Sequence, residues 1–116
     1  MNTVIAFHDD LERVDWQAVA DIYRSVQWGQ RGGRKIIITS FTNVRYTCFA
    51  YRGGELVGFG KMMSDGVKYG AIYDVVVHRD HHHQGIGEGI MRWLLDKGAD
   101  LSWITLFAVP GKEETA

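Results

Sequence analysis

Hydrophobic and polar positions change period several times along the chain, and each change marks an element. Thr3 to Phe7 is short and β-branched, which predicts a first strand. Asp15 then stands at an N-cap position before Trp16, Val19, Ala20, Tyr23 and Val26, whose spacing predicts an amphipathic helix ending near Trp28-Gly29. Gln30 to Lys35 contains Gly32-Gly33 and the basic residues Arg31, Arg34 and Lys35, and reads as a loop. Ile36 to Asn43 stays open between a strand, on its β-branched content, and a second short helix. From Val44 the signal sharpens. Val44 to Tyr51, Leu56 to Met63 and Tyr69 to Val77 predict three strands, separated by the turns Arg52-Gly53-Gly54-Glu55 and Ser64-Asp65-Gly66. They read as an antiparallel meander. Gly58 and Gly60 share a face of the second of these strands, which predicts a bulge or a close backbone approach. Ile86, Ile90, Trp93, Leu94 and Lys97 then form a helical stripe stopped by Gly98. Trp103 to Val109 is a last strand closed by Pro110-Gly111, followed by a polar stretch from Lys112 to Ala116. The crossover from Tyr69 to Val109 makes two strands parallel.

At 116 residues, 46% hydrophobic and 23% charged, the chain suits one folded domain, residues 1–116. Its net charge of −1 argues against a bulk nucleic-acid binder. Cys48 is the single cysteine, so no internal disulfide is possible, and it reads as a small buried hydrophobe. Residues Met1 to Asp10 lack the basic start of a signal peptide, and no stretch approaches the ~18 apolar residues of a membrane span. A cytoplasmic protein without membrane or nucleic-acid partners is the resulting expectation.

The chemistry concentrates where the most apolar strand runs through a loop into Gly85-Ile86-Gly87 and a helix. Glycines let a backbone approach a ligand, and free N–H groups at a helix start favour an anion such as a pyrophosphate. Neither common nucleotide motif fits. A P-loop needs Lys after its last glycine, where Glu88 stands, and a dinucleotide fingerprint needs glycine where Ile90 stands. Taken alone, the glycine pair reads more readily as a tight turn that starts a helix and binds nothing.

The ordered set of segments resembles the N-acetyltransferase (GNAT) superfamily. His82-His83-Gln84-Gly85-Ile86-Gly87 is similar to its Arg/Gln-x-x-Gly-x-Gly/Ala signature, with His82 in place of Arg or Gln. Ile72-Tyr73-Asp74-Val75-Val76-Val77-His78 resembles its fourth strand, and Gly54-Glu55-Leu56-Val57-Gly58-Phe59-Gly60 its third with the preceding turn. Ser64-Asp65-Gly66 and Trp28-Gly29 suit a branch of small bacterial members. The resemblance implies an α/β (α+β) fold, a mixed, mainly antiparallel sheet flanked by helices on both faces. Family members continue past the fifth strand with a Phe-Tyr-bearing helix and a final hairpin. Here Val109-Pro110-Gly111 runs through Lys112 straight to Ala116 without these elements, so the expectation is a fold lacking its C-terminal quarter and an impaired activity.

For single residues the resemblance implies acetyl-coenzyme A (acetyl-CoA) as co-substrate, lying along Tyr73 to Val77 where the fourth and fifth strands splay. Val75 and Val77 would offer backbone groups to the pantetheine, and the loop His82, His83, Gln84, Gly85, Ile86, Gly87 and Glu88 would hold the pyrophosphate. Asp74 and His78 are the candidate general bases, and Tyr73 and Trp28 candidate substrate contacts. The acceptor would be a primary amine of a small molecule or peptide. Arg31, Arg34 and Lys35 either attract an acidic substrate or the cofactor's phosphates, or form a solvated loop with no function. Two other readings remain. The run His81-His82-His83, with His78, suggests metal binding but lacks the spaced ligands of a built site, so none is expected. Alternatively, a fifth strand exposing Ile104, Leu106 and Phe107 would pair with a second copy, giving a non-catalytic CoA-binding or dimerising module.

Overall fold

Five strands form one sheet in the order β1-β2-β3-β4-β5. They are β1 (Ile5–His8), β2 (Tyr46–Arg52), β3 (Glu55–Ser64), β4 (Tyr69–Val77) and β5 (Trp103–Leu106). The first three pairings are antiparallel and β4 with β5 is parallel. Helices α1 (Trp16–Ser25) and α2 (Gly33–Thr42) cover one face and α3 (Ile86–Lys97) the other. This computed structural model describes residues 4–28 and 33–106. Thr3, Gly29, Arg31, Phe107 to Val109 and the closing Pro110-Gly111 lie outside the described residues.

Local chemistry accounts for most of these elements. The Asp15 carboxylate accepts from the N–H groups of Gln17 (3.0 Å) and Ala18 (3.3 Å), satisfying two of the free donors that open α1. Gly53 and Gly54 both have positive φ, as a tight β2–β3 turn requires. The open segment from Ile36 is helical. Ile37 and Phe41, four residues apart, are buried, and Phe41 packs on Trp16, Phe49 and Phe59. Burial of that stripe outweighs the modest cost of β-branched residues in a helix. The first helix ends at Ser25, earlier than its apolar stripe suggested, because Gln27 takes a positive φ and the Trp28 N–H turns back to the Tyr23 carbonyl.

The sheet separates two cores. Val19, Ile22, Tyr23, Phe41, Phe49 and Phe59 fill the α1–α2 side; Cys48, Val57, Ile72, Val77, Ile86, Ile90 and Leu94 fill the α3 side. Gly58 and Gly60 make the second core possible. A Cβ on Gly60 would stand 2.7 Å from Ile90 Cγ2, so only a bare backbone lets α3 lie this close. The expected bulge is present as well: Ala50 faces Gly58 and Tyr51 faces Leu56, so β3 carries one residue more than β2 beside Gly58, and a second bulge lies on β4. Phe59 faces Val76 and Lys61 faces Tyr73, so β4 carries one residue more than β3 across this stretch.

Cys48 is fully buried, and burial, with a smaller contribution from the Asp9 charge, pushes its thiol up to about 12. A thiolate is the reactive form. The native protein is therefore expected to resist a disulfide-exchange reagent at pH 8 and to react fully once unfolded in denaturant; labelling of the native state would refute this burial. Among the described residues no helix is long and apolar enough to cross a membrane.

Candidate active site

The bulge in β4 centres on Asp74, whose φ of 54° lies in the left-handed region. It projects the carboxylate onto the α1–α2 side. There Asp74 Oδ2 accepts from the Tyr23 hydroxyl at 2.9 Å and lies 3.4 Å from Lys61 Nζ. Lys61 is almost fully buried for a lysine, and its ammonium also sits 4.7 Å from the centre of the Phe41 ring. The Tyr23 phenol is held well above its ordinary titration range, first by burial and then by the neighbouring Asp74 charge. Tyr23 in turn stacks on Trp28, centroids 6.2 Å apart. The Trp28 indole N–H is buried without a hydrogen-bond partner. Two residues singled out in the sequence, Asp74 and Trp28, are thus joined through Tyr23. Tyr73, facing Lys61 in the register, shares the same face.

Neither Tyr23 nor Lys61 was singled out for chemistry. Tyr23 reads as one more position of the α1 stripe. Lys61 left a faint signal, a lysine two residues after Phe59 on the buried face of an apolar strand.

Beyond the bulge the edge of β4 away from β3 has no strand partner among the described residues. Among the described residues its pairing with β5 ends at Ile72 opposite Leu106. The His78 N–H donates to the Val57 carbonyl at 2.8 Å, and Val76 faces Phe59 on β3. Backbone polar groups alternate sides along a strand, so Val75 and Val77 direct theirs to the edge away from β3. The Val77 carbonyl there accepts from His82 Nε2 at 2.7 Å.

The edge leads into the loop. His83 and Gly85 both have positive φ, and Gly85 caps α3 without a side-chain hydrogen bond, leaving the helix start as a backbone N–H surface. Ile86 and Gly87 are buried against the sheet, and the Glu88 carboxylate is drawn to Arg92 at 2.9 Å. A hollow of about 210 Å³ adjoins the loop, lined by Ser25, Val26, Gln27, Arg79 and His82. The Arg79 N–H donates to Ser25 Oγ at 3.1 Å and ties the end of α1 to this loop.

His78 stands elsewhere. Its Nδ1 accepts from the Asp80 N–H at 3.1 Å and caps the single turn Arg79–His81, and it lines a second hollow of about 330 Å³ with Arg13, Asp15 and Tyr51. It lies four residues along the chain from Asp74, past the bulge, and caps a different element. Among the described residues no three His, Cys, Asp or Glu side chains gather into a metal-binding group. Arg34 and Lys35 are exposed on α2.

Residues 7–111 match the profile of the family described as "Acetyltransferase (GNAT) family". The chain belongs to the GNAT acetyltransferase family. A Gracilaria tenuistipitata var. liui protein named an uncharacterized N-acetyltransferase is 29% identical over 115 residues, which is 95% of this chain. The chain spans 62% of that relative's length. Two solved structures share the fold. A GNAT family acetyltransferase of Streptococcus pneumoniae superimposes with a TM-score of 0.76 at 19% identity, covering 97% of this chain and 80% of that one. The ribosomal-protein-alanine N-acetyltransferase of Brucella melitensis does so with a TM-score of 0.77 at 22% identity, covering 96% and 84%. The GNAT fold expected from the sequence is the fold observed, a mostly antiparallel sheet with helices on both faces.

Proposed function

We propose that this chain moves the acetyl group of acetyl-CoA to a primary amine of a small molecule or peptide, by direct attack while both are bound. The observation that carries the reading is the bulge at Asp74. It sets a carboxylate beside a strand edge that leads, through Val75 and Val77, to a glycine-opened helix start. An extended pantetheine suits such an edge as an added strand, and a pyrophosphate suits the amides from His83 to Glu88. His82 and Gln84 flank them with further polar groups.

The amine lone pair attacks the thioester carbonyl, the C–N bond forms and the C–S bond breaks. The ammonium proton is released, so the products are the acetamide, the CoA thiol and one proton. Holding donor and acceptor together supplies much of the rate. Asp74 attracts the ammonium and passes its proton to water. Its Oδ2 is occupied by Tyr23 and Lys61, which leaves Oδ1 for the amine. The position of His78, with Nδ1 engaged in its cap, supports Asp74 as the group at the reacting end. Trp28 and Tyr73, on the same side, are the proposed acceptor walls.

Calorimetric titration with acetyl-CoA is expected to show saturable one-site binding, followed by acetamide formation with an amine panel. A folded chain that binds no acetyl-CoA would overturn the reading. A second reading, a homodimerising CoA-binding module, is supported by Trp103 and Leu106, which are 64% and 58% exposed on β5. A monomer at all concentrations that transfers acetyl groups would sink it.

A further inference from the structure

One side chain outside the loop reaches into it from β2. Arg52 ends β2, just before the Gly53-Gly54 turn. Its Nη1 lies 3.1 Å from His81 Nδ1 and its Nη2 donates to Gln84 Oε1 at 2.5 Å. These contacts span 29 and 32 residues of sequence. Arg52 is half-buried, with its Nε buried and without a partner, so the two Nη groups carry its contacts to the loop.

A guanidinium has five donors and no acceptor. His81 must therefore present an unprotonated Nδ1 to it, which leaves its remaining hydrogen on Nε2. Gln84 must present its oxygen, which leaves its NH₂ for any ligand. We propose that Arg52 is a positioning residue for the anion loop, fixing the His81 tautomer and the Gln84 amide orientation so that both keep only N–H donors for the phosphates of CoA. The inference rests on the CoA reading above and deepens it. Without Arg52 the Gln84 amide turns freely, and half of its orientations offer an oxygen lone pair to a phosphate. The rest of the loop is compatible with this role. His82 spends its Nε2–H on the Val77 carbonyl and so is not a free donor, and the Glu88 carboxylate is paired with Arg92. The one acid in the first turn of α3 thus has a cation beside it.

Three chains separate this role from simple bracing: wild type, Arg52→Met and Gln84→Glu. Each is titrated by calorimetry with CoA and with inorganic pyrophosphate, and melted. Gln84→Glu keeps a partner for Arg52, now an ion pair, but replaces the NH₂ donor with an oxygen. It is expected to melt no lower than wild type yet bind both probes about tenfold more weakly, the scale of one charge-assisted hydrogen bond. Arg52→Met is expected to lose a similar factor. Its His81 imidazole nitrogens, read by ¹⁵N NMR, should shift from one tautomer to a mixture. A Gln84→Glu chain that binds CoA as wild type does, or an unchanged His81 tautomer in Arg52→Met, overturns the inference while leaving acetyl-CoA binding intact. Failure of the wild-type chain to bind CoA overturns the functional reading instead.

Discussion

Replacing Asp74 with Asn is expected to lower kcat/KM for acetyl transfer by about 10²–10⁴-fold, the range for loss of a positioned proton-transfer group. The substitution is chosen for the backbone. Asp74 has a φ of 54°, and Asn tolerates that region at least as well as Asp, so the bulge survives. The amide oxygen can still accept from Tyr23, whereas the charge that draws an ammonium is gone and Lys61 loses its counter-ion. An ammonium substrate then meets an uncompensated buried cation instead of a carboxylate. Affinity for CoA should hardly change, because the proposed phosphate site lies beyond Val77. Steady-state kinetics together with calorimetry check both halves. A variant that turns over at the wild-type rate would remove Asp74 from the mechanism.

Replacing Phe59 with Ala should cost about 3–5 kcal/mol of folding stability, the usual range for a buried phenylalanine. Phe59 is completely buried at the centre of the α1–α2 core. Its ring centre lies 4.9 Å from Tyr23 and 5.4 Å from Phe41, and the residue pairs across the sheet with Phe49. The neighbours hang on different elements, α1, α2 and β2, so they cannot collapse together into the void. Against a total stability of about 5–15 kcal/mol, such a loss leaves the fold marginal. Urea unfolding should show a lower midpoint at a similar slope. A loss below about 1 kcal/mol would mean that the aromatic cluster is not the centre of this core. The same residue bears on chemistry, since the Tyr23 ring that supports Asp74 leans on it.

Some of the candidate site was legible residue by residue. Asp74 stands out as an acid inside the most apolar strand, and Gly85-Ile86-Gly87 as a helix start open to an anion. Trp28 stands out as an aromatic at a helix end. Tyr23 was legible only as a buried aromatic, and Lys61 and Arg52 only as strand residues. Their roles come from partners far along the chain. The Tyr23 hydroxyl meets a carboxylate 51 residues away, and Arg52 meets Gln84 across 32. No local period or spacing encodes such pairs.

The division between sequence and tertiary structure follows the range of the forces involved. The apolar runs of β2, β3 and β4, the glycine turns between them, the Asp15 cap and the Ile86-Ile90-Leu94 stripe are all decided within about ten residues, by backbone geometry and local side-chain pattern. The meander, both amphipathic helices and the order of elements could therefore be read directly. Ile36-Ile37-Ile38 could not, because its β-branched residues favour a strand locally and only the packing of Ile37 and Phe41 into the aromatic core makes it a helix. The bulge at Asp74, the ion pair with buried Lys61 and the Arg52 contacts to the loop likewise arise only when the sheet assembles. Each costs something locally, through a left-handed backbone, a buried cation or a dry guanidinium N–H, and persists only because the surrounding tertiary contacts offset that cost.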